Sequence, residues 1–270
     1  MAARAIWKGV LQLGSHKLPV KLYSAVEERG VHFRLLQERT HEPVRQQLVD
    51  PSTDEVVPYP EVRRGFAVDH SFVILKKEEL DELAPKPSRD IAVSHFVSTQ
   101  KLGPEWLVRP YYLGPDGDEE GYFALAEALT AEDKEGVAHW VMRNQEYAGV
   151  LRAIDGYLML ITLRHADEVI KESELPRPEG RPHSDKELSM AEQLIAAYED
   201  AFDPSQYQDE YRERVLSFVE AKAKGKKPRL KQPVIKHEER DLSSALAKSL
   251  AGLKKAGPKK APARKEKHVA

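Results

Sequence analysis

Val150-Leu151-Arg152-Ala153-Ile154, then Asp155-Gly156, then Tyr157-Leu158-Met159-Leu160-Ile161-Thr162-Leu163 is the stretch on which the fold turns. A type I′ turn needs positive φ at both central residues, and Asp-Gly supplies that between two apolar, partly β-branched runs. Two antiparallel strands joined by a two-residue turn are therefore expected. The second run lacks polar alternation, so both of its faces should meet protein, as in a barrel or beneath a covering element. Arg143, Arg152 and Arg164 flank this signal, which carries no chemistry of its own.

Outward from this pair, most of the first 165 residues read as strands. Residues 4–13 and 18–24 form two, joined at Gly14-Ser15, with Ala5, Trp7, Leu11 and Leu13 opposite Lys8 and Gln12, and Val20 and Leu22 opposite Lys21 and Tyr23. A third strand is expected near His32–Gln37, with Phe33 and Leu35 inward and Arg34 outward. Thr40–Arg64, rich in Pro, Asp, Ser and charge, reads as a long excursion of loops and short strands, a kind of segment that tends to be functional. Phe66, Val68, His70, Phe72 and Ile74 share one face of a further strand, and Lys76–Leu83 reads as a short charged helix ended by prolines. Strands follow at Ile91–Val97 and Arg109–Leu113, then a Gly114-Pro115-Asp116-Gly117 turn, a helix at Ala124–Leu129 and the Val137–Met142 run.

The period then changes. Ser184-x-x-Glu187 is a capping box, and Leu188, Ala191, Ile195, Tyr198 and Phe202 follow at helical spacing. Asp203-Pro204 reads as the start of a second helix, with Tyr207, Tyr211, Val215 and Phe218 on one face. Beyond Ala221 the chain is too poor in large apolar groups to fold alone. Within that tail, Asp241–Leu253 places Leu242, Leu246, Leu250 and Leu253 on one helical stripe, which suits either a partner groove or a transient helix without one.

Charge is segregated along the chain. The formal net charge is only −2, yet residues 221–270 hold 16 Lys and Arg against 4 Asp and Glu, while residues 114–220 hold 10 against 25. A basic tail on an acidic body usually reaches for a polyanion, most often nucleic acid, although such a tail also serves simply to keep a protein in solution. The absence of cysteine removes disulfides, thiolate metal sites and thiol nucleophiles. With no long apolar run and no signal-peptide pattern, a soluble intracellular protein without membrane contact is expected. Phosphate-loop, dinucleotide, zinc-protease and serine-elbow motifs are all missing, and His165-Ala166-Asp167 lacks the further ligands of a metal site. Lys8, Lys17, Lys21, Arg34, Arg45, Arg63 and Arg64 stand out instead. Brought to one concave surface, they would contact phosphates without reading bases. Arg143, Lys224, Lys226 and Lys227 join them as candidate DNA-binding residues, with no cofactor and no metal expected.

Arg4-Ala5-Ile6-Trp7-Lys8-Gly9 and Leu18-Pro19-Val20-Lys21-Leu22-Tyr23-Ser24-Ala25 resemble the opening of the bacterial Ku family. Arg109–Pro115, Leu163–Val169, Glu187–Ile195 and Phe202–Arg212 are similar to later family blocks, in order, so the likeness covers about residues 3–224. It implies an α+β, mainly β fold: an antiparallel β-barrel core with a C-terminal helical arm and a flexible basic tail, assembled as a homodimeric ring. The expected division is a barrel core at 1–175 with a DNA-encircling excursion near 40–65, a helical arm at 176–224, and a basic tail at 225–270 carrying the 241–253 segment. The resemblance further implies sequence-independent binding of double-stranded DNA ends in non-homologous end joining, a cytoplasmic, nucleoid-associated place, and recruitment of the ATP-dependent ligase D through Leu242, Leu246, Leu250 and Leu253. No catalysis is implied. Two departures stand out: Val49-Asp50-Pro51-Ser52 lies where many members carry C-x-x-C, and Val44-Arg45-Gln46-Gln47 is poorer in basic residues than the corresponding family segment. The rival reading is a nucleoid-type protein that binds DNA, or RNA, through its lysine-rich tail. An enzyme with an unrecognised site at 40–64 is the remaining alternative.

Overall fold

The computed structural model describes residues 4–177, 179–180 and 182–226, in two compact units that divide after Leu175. In the first unit, seven strands close a barrel in the order β1 (Trp7–Leu13), β2 (His16–Ser24), β6 (Leu107–Pro115), β9 (Tyr157–Leu163), β8 (Gln145–Ile154), β7 (Lys134–Met142) and β5 (Asp90–Ser98). A separate hairpin comprises β3 (Arg64–Val68) and β4 (Ser71–Leu75). Two helices belong to the same unit, α1 (Lys77–Leu83) and α2 (Glu119–Ala131).

Alternation fills the barrel. Leu11, Leu18, Val20, Leu22, Ile91, Leu113, Ala138, Trp140, Leu151, Leu158 and Leu160 project inward and are buried in one cluster, which Tyr122, Ala126 and Leu129 of α2 join. The helix is fastened by its tyrosine: the Tyr122 hydroxyl donates to the Leu113 carbonyl at 2.6 Å and accepts the Leu158 N–H at 2.8 Å. Burial of the ring pushes the Tyr122 phenol above its ordinary value. The expected Ala124–Leu129 helix is the middle of α2, which begins earlier because Asp118 accepts the Gly121 N–H as an N-cap.

The Asp155-Gly156 turn forms as expected, with φ of 50° and 78°, and β8 pairs with β9 from Ile154↔Tyr157 to Gly149↔Thr162. Leu160, Ile161 and Thr162 are buried in succession, so the missing alternation does mark cover on both faces. Gly149 is needed here: a Cβ would stand 2.5 Å from the Ile161 carbonyl and 2.6 Å from the Trp140 indole, which stacks on Tyr147 at 5.5 Å. A second two-residue turn, Arg143-Asn144, joins β7 to β8 with φ of 55° and 61°.

One pairing departs from a purely antiparallel barrel. β1 runs parallel to β5, Val10↔Asp90 to Gln12↔Ala92. Parallel neighbours need a long crossover, and residues 25–89 supply it. Within that excursion the structure corrects two expectations. His32–Gln37 forms no strand beyond an isolated Leu36↔Pro43 bridge, and Phe33 and Leu35 are 68% and 66% exposed rather than turned inward. Among the described residues, no neighbouring strand completes a ladder beside them or covers them. Phe66 to Ile74 is a hairpin, not one strand: Asp69 takes φ of 49° and the chain reverses at Asp69-His70, so Phe66 faces Val73 across the pair. Asp tolerates the left-handed region well enough to make a turn inside an apolar run.

The second unit holds α3 (Asp185–Tyr198) and α4 (Glu210–Ala223). Both arms of the Ser184 capping box are made, Glu187 N–H to the Ser184 hydroxyl at 3.3 Å and Ser184 N–H to the Glu187 carboxylate at 2.9 Å. The second helix starts later than its sequence indicates. Asp203 caps only a 3-10 turn at Pro204–Gln206, and α4 begins after Asp209, which accepts the Arg212 N–H at 2.9 Å. Tyr207 therefore lies outside the helical face assigned to it, stacked on Phe202 at 5.2 Å.

Candidate nucleic-acid interface

Cross-strand register places the first basic pair. Lys8 on β1 stands directly opposite Lys21 on β2, both outward because Leu11, Leu18, Val20 and Leu22 take the interior positions. Like charges facing each other across a pair repel, and the structure relieves this with a carboxylate. Asp116, just past β6, receives Lys21 Nζ at 2.7 Å and Lys8 Nζ at 2.9 Å. Hydrogen bonds from Lys21, and then from Lys8, hold the Asp116 carboxyl below its ordinary range. The same bond to Asp116 raises Lys21. Lys17 is exposed on the outward face of β2, across from Gln12. Lys8, Lys17 and Lys21 thus share one outer barrel face, two of them already engaged by an acid.

The remaining candidates are dispersed. Arg34 and Arg45 are exposed along the excursion, and neither makes an ion pair among the described residues. Arg63 turns back on its own chain, donating to the carbonyls of Pro60 at 2.6 Å and Val62 at 3.0 Å, while Arg64 opens β3 and is exposed. Arg143 projects from the β7–β8 turn. Lys224 is the C-cap of α4, 3.9 Å from Glu220, and Lys226 follows it, both in the second unit. Lys227 and the Leu242, Leu246, Leu250 and Leu253 stripe lie outside the described residues.

Sequence reasoning missed two participants. Asp116 looked like a turn residue, and only the pairing of β2 with β6, Val20↔Pro115, brings it between the lysines. Arg89 had no signal at all, yet its carbonyl accepts the Val10 N–H at 2.8 Å where the excursion re-enters the barrel, beside the Arg143 turn. Among the described residues, no group of three or more His, Asp or Glu side chains is placed to hold a metal ion, and no helix is long and apolar enough to cross a membrane.

Buried charge elsewhere is structural. Glu135 on β7 is fully buried and receives Arg152 Nε from β8 at 2.5 Å, with its second oxygen unpaired. The pair joins adjacent strands of the barrel wall.

Comparison with known proteins gives a consistent result. The family model described as the Ku70/Ku80 beta-barrel domain matches residues 12–190. Non-homologous end joining protein Ku 2 of Geotalea uraniireducens (strain Rf4) is 37% identical over 256 residues, spanning 93% of this chain and 98% of that protein. The non-homologous end joining protein Ku of Anaeromyxobacter sp. (strain K) is 34% identical, spanning 99% of this chain and 92% of its own length. That of Heliobacterium modesticaldum is likewise 34% identical, spanning 99% and 98%.

Proposed function

The chain belongs to the Ku β-barrel family, and from that premise we propose that it binds double-stranded DNA ends without regard to sequence, as a homodimeric ring acting in non-homologous end joining. The single observation that carries the ring is the excursion between β2 and β5. It leaves the barrel for more than sixty residues and exposes apolar groups on both faces of the β3–β4 hairpin, Phe66 at 67% and Phe72 at 75%. A lone two-stranded hairpin is marginal in water, and an exposed apolar surface of this kind calls for a partner. A second copy of the chain fits that need, and an obligate homodimer commonly buries more than about 2,000 Å².

A closed loop around DNA gives specificity by topology, because only a free end can thread it, while phosphate contacts give affinity without base reading. In this reading the excursion near 40–65 encircles the duplex, the barrel core ends near residue 175, residues 176–224 form a helical arm, and 225–270 form a basic tail. Lys8, Lys17, Lys21, Arg34, Arg45, Arg63, Arg64, Arg143, Lys224, Lys226 and Lys227 supply the phosphate contacts. The protein acts in the cytoplasm on the nucleoid and performs no catalysis itself. Through the Leu242–Leu253 stripe it recruits an ATP-dependent ligase D.

The deciding experiment binds the purified chain to one plasmid in linear and covalently closed form at the same near-physiological salt, with closed DNA as competitor. Retention of the linear form against closed competitor is the expected result. Equal binding to both would favour the tail-driven, nucleoid-type reading, which the excess of 16 basic over 4 acidic residues in 221–270 supports.

A further inference from the structure

A cleft of about 320 Å³ opens where the excursion rejoins the barrel, lined by Trp7, Pro87, Ser88, Arg89, Val141, Arg143 and Asn144. Three separate pieces of chain build it. Trp7 begins β1 and packs against the barrel core, its indole lying over Gly9, where a Cβ would be 2.3 Å from the ring. The Pro87–Arg89 segment is pinned beside it by the 2.8 Å bond from Val10 N–H to the Arg89 carbonyl. The Arg143-Asn144 turn closes the third side, held in the left-handed region at both residues by the Met142↔Gln145 pair.

Two arginines and no acid stand among the residues that line the cleft, and neither Arg89 nor Arg143 makes an ion pair among the described residues. This contrasts with Lys8 and Lys21, which share Asp116. Guanidinium forks match a phosphate bidentately, an indole offers an aromatic surface for a base, and Ser88 and Asn144 add neutral hydrogen-bonding groups. The volume is at the small end of the range for small-molecule sites. We propose that this cleft binds a single 5′-phosphorylated nucleotide, with Arg89 and Arg143 on the phosphate and Trp7 against the base. Two sources offer that chemistry, the terminal nucleotide of a DNA strand and a free mononucleotide. The terminal source rests on the DNA-end reading above, whereas the site itself does not.

The test uses the full chain. Deoxyadenosine 5′-monophosphate, deoxyadenosine and inorganic phosphate are titrated separately by calorimetry into the native protein and into Arg89→Gln and Arg143→Asn variants. Asparagine is chosen at 143 because it enters the left-handed region readily, and matched thermal midpoints confirm folding. The monophosphate is expected to bind at least tenfold more tightly than deoxyadenosine or phosphate alone, and each substitution should weaken it about tenfold, one charge-assisted contact. Monophosphate binding no tighter than deoxyadenosine, or unaltered in both variants, overturns the proposal. A second arm compares blunt duplexes that differ only in a 5′-phosphate. A preference for the phosphorylated end that disappears in the double variant assigns the terminal nucleotide as the source. No preference, with monophosphate binding intact, assigns the free mononucleotide. The plasmid experiment can fail while the monophosphate titration succeeds, so the two readings are separable.

Discussion

Tyr122→Phe isolates the fastening of α2 to the barrel. The substitution keeps the ring, which is fully buried, and removes only the hydroxyl that donates to Leu113 at 2.6 Å and accepts from Leu158 at 2.8 Å. Two buried backbone groups, one carbonyl and one N–H, then lose a partner. At about 1–1.5 kcal/mol for each, the loss is about 2–3 kcal/mol, or roughly a 30- to 150-fold fall in the folded-to-unfolded ratio. Urea unfolding of both proteins at one protein concentration, followed by circular dichroism, measures it; the fixed concentration keeps the comparison valid under the proposed dimerisation, which would add to apparent stability. Alkaline pH provides a second arm. Burial raises the Tyr122 phenol above the ordinary tyrosine value of about 10, so its protonated form favours the folded state. That contribution is complete below the unfolded value and is lost as pH climbs through the raised folded one. The wild type should therefore lose more stability above about pH 10 than the phenylalanine variant. A neutral-pH difference under 0.5 kcal/mol would refute the claim that this hydroxyl ties helix to strands.

Three further outcomes are expected. Arg152→Ala leaves the fully buried Glu135 carboxylate unpaired and should destabilise by about 3 kcal/mol, the low end for a broken buried pair because the arginine side is partly solvated; the Glu135→Gln/Arg152→Met double variant should recover most of it, and a single-variant loss under 1 kcal/mol in the same urea assay contradicts this account. Asp116→Asn frees Lys8 and Lys21 and should steepen the salt dependence of DNA binding by up to about 0.9 in log–log slope per ammonium newly on phosphate; because the Asp116 carboxyl is lowered in the folded protein, its stabilisation is present above the unfolded carboxylate value and vanishes as pH falls through the folded one, so the thermal midpoints of wild type and variant should converge in acid. Deleting residues 222–270 removes 16 basic and 4 acidic residues and should weaken DNA binding and flatten its salt slope in a filter-binding titration, an unchanged slope rejecting any part for the tail in the DNA contact.

Where the sequence spoke clearly, the signal was local. Asp155-Gly156 specified its turn because few dipeptides accept two positive φ angles cheaply, and Ser184 with Glu187 specified the start of α3 because a helix N-terminus leaves donors that those side chains satisfy. The failures arose where a local pattern had two outcomes. Phe66 to Ile74 has the period of one strand, and equally of two strands folded at Asp69-His70. Asp203-Pro204 carries the marks of a helix start yet nucleates only one 3-10 turn, with Asp209 taking the cap of α4. Phe33 and Leu35 were assigned inward on alternation alone, which cannot tell a strand facing its own core from a segment with no core behind it.

By itself the sequence determined that a strand-rich region with two short helices precedes a purely helical pair, the outward lysines of β1 and β2, and the segregation of positive charge into the last fifty residues, since each follows from residue type at neighbouring positions. Tertiary structure alone decided that β1 meets β5 in parallel across a crossover of more than sixty residues, that Asp116 sits between Lys8 and Lys21, and that Arg89 and Arg143 border one cleft. Those are contacts between residues far apart in the chain. Barrel closure and strand register set them, and no short-range preference encodes either.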